Sequence, residues 1–108
     1  REQQRSGNHA APTGTPIWAA GSGRVQFAGR KGGYGNVVII DHGKGISTVY
    51  GHMSRFGRSM RAGRSVGQGD TIGYVGMTGA ATGPHLHYEY LSRGVHMDPQ
   101  KVALPTDM

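Results

Sequence analysis

Residues 82–90, TGPHLHYEY, carry two histidines one residue apart, and two imidazoles at that spacing can address one metal ion or one reacting group if they share a surface. A β-strand meets that condition. Side chains alternate along a strand, so His85, His87 and Glu89 would share one face while Leu86, Tyr88 and Tyr90 share the other. One face suits coordination or proton transfer, and the other suits a core. Gly83 and Pro84 fix the approach to the strand and leave its opening uncluttered. His52 ends the strand-like run ISTVYGHM, and a strand end at a barrel rim can deliver its side chain into a groove. His42, in the turn-like DHGKG, and His96, in RGVHMDP, read as surface or internally satisfied residues.

The elements that must hold these residues are short and β-rich. The runs TPIWAA, GRVQFAG, NVVIIDH, ISTVYGHM, DTIGYVG and HLHYEYL are separated by turn signals such as RKGGYG, GKG and GQGD. No helical period is convincing beyond a short turn around residues 54–61. The expectation is an all-β single domain, a mostly antiparallel barrel or sandwich with an open groove and little or no helix. The tail DPQKVALPTDM, with Pro99 and Pro105, is expected to pack back irregularly.

The chain has 108 residues, enough for one domain with a modest core. A formal charge of +6 favours polyanionic surroundings. The basic residues Arg24, Arg30, Lys31, Arg55, Arg58, Arg61 and Arg64 are scattered rather than interleaved with aromatics, and no nucleic-acid motif appears. A nucleic-acid partner is therefore not expected. The absence of cysteine excludes thiolate catalysis and cysteine zinc sites, so any metal must use histidine and carboxylate. No apolar run approaches the roughly 18 residues of a membrane span, and REQQRSGN is not a signal peptide. The chain reads as a piece of a longer exported protein.

Five blocks, AAPTGTPIWAAGSGRVQFAG, GGYGNVVIIDHG, STVYGHMS, VGQGDTIGYVGMTGAATGPHLHYEY and MDPQKVALP, together resemble the catalytic domain of lysostaphin/LytM-type zinc endopeptidases of bacterial cell walls. The likeness is nearest to the Gram-negative envelope enzymes that cut peptide crosslinks. It runs over residues 10–105, leaving 1–9 as an N-terminal segment and 106–108 as a tail. By this resemblance His87 binds zinc, and His85 and His52 are catalytic histidines. Tyr34 and Asn36, in GGYGN, fall at substrate-binding positions, Tyr34 where some members lend a hydroxyl to the oxyanion. Three protein ligands leave zinc an open position for water, whose pKa the metal lowers toward about 7. The implied cofactor is one zinc ion, and the implied substrate is the stem peptides and crosslinks of peptidoglycan. The implied location is the cell envelope, periplasmic or extracellular.

The remaining ligands in the resembled family form His-x-x-x-Asp, followed by one aromatic residue and then AAPTGTP. Counting back from Ala10, the Asp position falls on Asn8 and the His position on Gln4. A neutral amide oxygen neither offsets the metal's charge nor binds it as a carboxylate does. Two explanations compete. The chain could be a scaffold without zinc that binds and activates a cell-wall amidase, its partner then being a regulatory or amidase protein. Alternatively, about five residues could be missing between His9 and Ala10, which would make His9 the first ligand. Retention of His52, His85 and His87 together favours the second and a zinc-dependent endopeptidase. A lipoyl or biotinyl carrier is the third reading, suggested by VGQGDTIGYVG, but neither Lys31 nor Lys44 has the hairpin setting that a carrier lysine needs.

Overall fold

The structure, a computed structural model, describes residues 7–79 and 81–97. Among them are the strands β1 (Gly7–Ala10), β2 (Pro16–Trp18), β3 (Gly23–Arg30), β4 (Asn36–Gly43), β5 (Ile46–Phe56), β6 (Ser65–Val66), β7 (Thr71–Val75), β8 (His85–Ser92) and β9 (Val95–Met97). All pairings are antiparallel and join one sheet, in the order β1-β8-β5-β4-β3-β6, with β7 bridging β5 to β2 and β9 flanking β8. The all-β expectation holds, and each of the six expected runs contains a strand.

Three short strands, β1, β6 and β9, were not expected, and β1 draws residues 7–9 into the sheet ahead of the anticipated boundary at Ala10. The anticipated turn around residues 54–61 forms differently. β5 continues through Phe56 because Met53, Arg55 and Phe56 find partners on β7, and the chain then turns where the Met60 N–H donates to Gly57 O at 3.3 Å. The helical turn lies instead at Gly32–Tyr34, a single turn of 3-10 helix. The expected packing of the C-terminal tail lies outside the described residues.

β-Branched text makes β4 the spine: Val37, Val38 and Ile40 are fully buried between β3 and β5. Ile17, Val25, Tyr50, Met53, Ile72, Val75, Leu86 and Tyr88 close the core around it. Residues alternate on β8 as the pattern requires, with Leu86, Tyr88 and Tyr90 buried and His85, His87 and Glu89 partly exposed.

β5 sets the position of the site. One edge pairs with β4 from Ile46 to Met53, but the other changes partner: Ile46 to Gly51 face β8, and Met53 to Phe56 face β7. The change falls at His52. There the sheet forks, and a bridge between Gly76 and His85 ties the end of β7 to the start of β8. A fork is a place where side chains can converge without being covered by a neighbouring strand.

A buried polar chain ties the end of β4 to β5. Ser22 O is 2.8 Å from His42 Nδ1, His42 Nε2 is 2.7 Å from Thr48 Oγ1, and Thr48 Oγ1 is 2.6 Å from the Tyr50 hydroxyl. The Ala20 N–H also donates to the Tyr50 hydroxyl, at 2.9 Å. A carbonyl only accepts, so His42 Nδ1 carries its proton and every other proton then follows. Tyr50 donates to Thr48, and Thr48 donates to neutral His42. Burial pushes the Tyr50 phenol up to about 12, with its two hydrogen bonds pulling the other way, so the hydroxyl stays neutral. The buried Tyr88 hydroxyl, in contrast, has no hydrogen-bond partner among the described residues. Thr48→Val should therefore cost about 1–3 kcal/mol by orphaning two buried groups, whereas Tyr88→Phe should be neutral or stabilising. Urea unfolding of the two variants checks the contrast.

Candidate active site

His85 opens β8 and His87 follows on the same face. In register, β1 places Ala10 across from His85 and Asn8 across from His87, while β5 places Gly51 across from His87. The glycine matters. A Cβ on Gly51 would stand 3.3 Å from the Tyr34 ring and 3.6 Å from His87 Cβ, so its absence lets Tyr34 lie over β5 beside His87. The Tyr34 and His87 ring centroids are 5.7 Å apart.

Strict alternation would put His52 on the core face with Tyr50. The strand avoids this by a register irregularity between β4 and β5 at this point and by a left-handed backbone at His52, with φ of 61°. Such a conformation is costly for a residue with a side chain, and it is characteristic of sites where geometry outweighs local comfort. The result is convergence: the His52 ring lies 4.7 Å from that of His85 and 5.8 Å from that of His87, centroid to centroid.

A loop partner holds the turn. Thr78 O accepts from His52 Nδ1 at 2.7 Å, and Thr78 Oγ1 donates to Met53 O at 2.7 Å while accepting from the Asn36 N–H at 3.0 Å. Asn36 Nδ2 donates to Met53 O at 3.1 Å. The Asn36 amide thus fastens the segment that carries His52.

The hydrogen bonds also assign the imidazole tautomers. His52 Nδ1 and His85 Nδ1 each meet a carbonyl, Thr78 O and Gly83 O at 2.7 and 2.8 Å, so both rings carry hydrogen on Nδ1 and, when neutral, a lone pair on Nε2. His87 is reversed, with its Nε2 2.7 Å from Glu89 Oε2. The Tyr34 hydroxyl donates to the same carboxylate, 3.0 Å from either oxygen. Burial, then the hydrogen bond and charge of Glu89, raise the Tyr34 phenol above its ordinary range. Its one proton is directed at Glu89.

Burial lowers the His52 pKa, with the charges of His85 and His87 adding to this and the Thr78 hydrogen bond opposing it. His52 is therefore a neutral base at pH values where an exposed histidine is partly charged. The sign for stability follows. The unfolded chain takes up a proton near pH 6.5 and the folded chain only lower, so this contribution is complete above about 6.5 and is lost as pH falls toward the lowered value. A proton-detected NMR titration should show His52 titrating below the ordinary histidine value of about 6.5, and denaturation midpoints should fall on acidification through that window.

Gly33, Tyr34, His52 and His87 line a groove of about 290 Å³. The structure brings His52, His85, His87 and Tyr34 together around this groove. His9 is placed elsewhere, across from buried Leu86 rather than in the row of His87. The residues not assigned from sequence are Thr78, Gly51 and the double acceptor Glu89. Strand alternation already put Glu89 on the right face, whereas nothing in the sequence marked Thr78 or Gly51.

A zinc site with three protein ligands does not fit the described residues. Among them no group of three His, Cys, Asp or Glu is disposed to hold a metal ion. The residue across from His87 is Asn8, which lacks the charge of a carboxylate, and Glu89 is engaged by His87 Nε2 and Tyr34.

Comparison with known proteins covers nearly the whole chain. Peptidase family M23 matches residues 3–99, a stretch that includes Gln4 and Asn8. The chain is 50% identical over 99 residues to the DD-carboxypeptidase/endopeptidase Mpg of Neisseria meningitidis, covering 92% of this chain and 22% of that protein. It is 48% identical over 101 residues to the peptidoglycan DD-endopeptidase ShyC of Vibrio cholerae, covering 94% of this chain and 23% of the relative. Among solved structures, a zinc containing peptidase from Vibrio cholerae superposes with a TM-score of 0.82 at 35% identity, over 91% of this chain and 30% of the other. The chain thus spans less than a quarter of the length of these two relatives. With a family match over residues 3–99, relatives of this identity and the same β architecture, the chain belongs to peptidase family M23.

Proposed function

We propose that this domain takes the peptide crosslinks of bacterial peptidoglycan as its ligand, in an M23 groove whose proton-handling half is intact and whose metal-holding half is incomplete. The observation that carries this reading is the convergence of three imidazoles, each with its tautomer set by a dedicated partner, on a groove walled by Tyr34. An extended peptide laid there would place an amide against the bare Nε2 atoms of His52 and His85. These can accept a proton from water or return one to a leaving amine. Where an M23 site is complete, zinc supplies the Lewis acid for the carbonyl and a water of lowered pKa. Exposed Arg30 and Lys31, beside the Tyr34 turn, favour the carboxylates of stem peptides by an attraction that salt weakens.

The specific observation behind recognition without cutting is Asn8 across from His87 in the pairing of β1 with β8. Such a domain would hold the crosslink in the cell envelope while a separate hydrolase, for example an amidase, acts. The second reading is cleavage by a one-zinc endopeptidase, which the left-handed backbone that turns His52 toward His85 and His87 favours. The relatives named as DD-endopeptidases point either reading to D-alanyl crosslinks.

Purified protein would be assayed for metal content and mixed with a crosslinked muropeptide dimer. Binding that perturbs Tyr34, His52 and His87 resonances, with no zinc and no monomer product, is the expected result. One equivalent of zinc with monomer released would establish the endopeptidase. Neither binding nor product would reject both readings.

A further inference from the structure

We infer that Glu89 is the positioning residue of this site: it holds His87 by Nε2 and, clamped itself by Tyr34, makes Nδ1 the ring's one acceptor. This goes beyond the proposed function and holds whether or not the domain cuts peptide.

The argument begins with parity. Glu89 lies two residues beyond His87 on the same strand, so the two side chains leave the same face of β8. Their side chains are only partly exposed, at 24% for His87 and 15% for Glu89, and the 2.7 Å contact is the short hydrogen bond expected of an ionised acceptor. A carboxylate only accepts, so whatever the charge of His87, a hydrogen sits on Nε2. In the neutral ring the lone pair is then confined to Nδ1. Tyr34 adds the restraint that a lone acidic side chain would lack, because its hydroxyl lies 3.0 Å from both carboxylate oxygens and thereby fixes the carboxylate plane.

Tyr34 is itself seated by Gly51, directly across from His87, whose missing Cβ gives the ring its place. Glycine, tyrosine, glutamate and histidine thus form one chain of contacts leading to a single ring nitrogen. His52 and His85 reach the opposite outcome through backbone carbonyls, which leaves their lone pairs on Nε2. The groove therefore has two imidazoles of one tautomer and one of the other, and Glu89 is the side chain responsible for the difference. Carboxylates that orient an imidazole in this way typically change its ligand affinity by about 10–100-fold when removed.

The test is nitrogen-edited NMR of the metal-free protein at pH 8, which reads the ring protons of His87 directly and requires no turnover. In the unsubstituted protein His87 should show hydrogen on Nε2, shifted downfield and slow to exchange. Glu89→Ala should speed that exchange by about tenfold or more, given the strength of hydrogen bonds to charged groups. Glu89→Gln keeps an acceptor oxygen and should retain a protected but weaker signal, which a generally loosened fold would not do. Tyr34→Phe should keep the Nε2 proton while broadening it. Backbone amide spectra report folding of each variant, and if Glu89→Ala does not fold, Glu89→Gln and Tyr34→Phe decide the matter by the same signal. A proton on Nδ1 of His87 in the unsubstituted protein, or exchange unaltered in every folded Glu89 variant, overturns the assignment.

Discussion

The double variant Gln4→His, Asn8→Asp should retain one equivalent of zinc through desalting, whereas the unsubstituted chain should lose it. Asn8 is directly across from His87 in antiparallel register, which places the two Cα atoms about 4.5–5.5 Å apart. In the resembled family a carboxylate at that position is a zinc ligand, and it would supply the negative charge that an amide lacks. Replacing a partner outside the coordination shell already costs about 10–100-fold in metal affinity, so restoring two direct donors should raise affinity by more than about 100-fold. Asn8→Asp alone should give a smaller gain, and His87→Ala added to the double variant should abolish it. In the zinc-loaded variant His52→Ala or His85→Ala should keep the metal and lower crosslink cleavage by about 10²–10⁴-fold, the usual worth of a positioned acid or base. Metal analysis after desalting and chromatography of muropeptide digests make the measurements. A folded double variant that takes up no zinc would mean that counting back from Ala10 misplaces the ligands, and it would revive the case for residues missing beside His9.

The His-x-His face was legible in the sequence because it follows from one local rule, the alternation of a strand, applied over five residues of β8. The same rule fails for His52. Alternation alone assigns it to the core with Tyr50, and only the irregular pairing with β4, the change of partner from β8 to β7 and a φ of 61° turn it to the groove. These are properties of pairing between distant segments, which the run ISTVYGHM does not contain. Tyr34 falls where some members of the resembled family lend a hydroxyl to the oxyanion, and here that hydroxyl donates a hydrogen bond to Glu89, 55 residues away in the chain. His9 against Asn8 is a third case. The two differ by one position, and only the register with β8 shows which is opposite His87. Composition, turn signals and β-rich runs were enough for the fold, since each of those is local or averaged. The site depends on where two strands stop sharing an edge.

Gly35→Ala should be strongly damaging for a single added methyl, and its effect should reach the site through two loops at once. Gly35 has φ of 67°, a left-handed conformation that any other residue adopts at a cost of about 1–2 kcal/mol. A Cβ there would also overlap the carbonyl carbon of Thr78, which is backbone and cannot swing aside. Gly79 meets Gly35 from the other side in the same way, so the two segments touch main chain to main chain. Separating them pulls Thr78 away from the His52 ring and from the Asn36 N–H, and it shifts the turn that carries Tyr34. The expected loss is more than about 3 kcal/mol, or roughly 15 °C in Tm for a domain of this size. Gly32→Ala is the matched control. It shares a left-handed backbone, with φ of 48°, but an added Cβ meets nothing within 4 Å, so it should cost only about 1 kcal/mol. Thermal melts separate the two variants, and the His52 ring signals add a second reading: Gly32→Ala should leave them in place, while any Gly35→Ala protein that folds should show His52 released from Thr78. Equal melts for the two variants would mean that the loops can part without disturbing the fold, and the groove would then not depend on their contact.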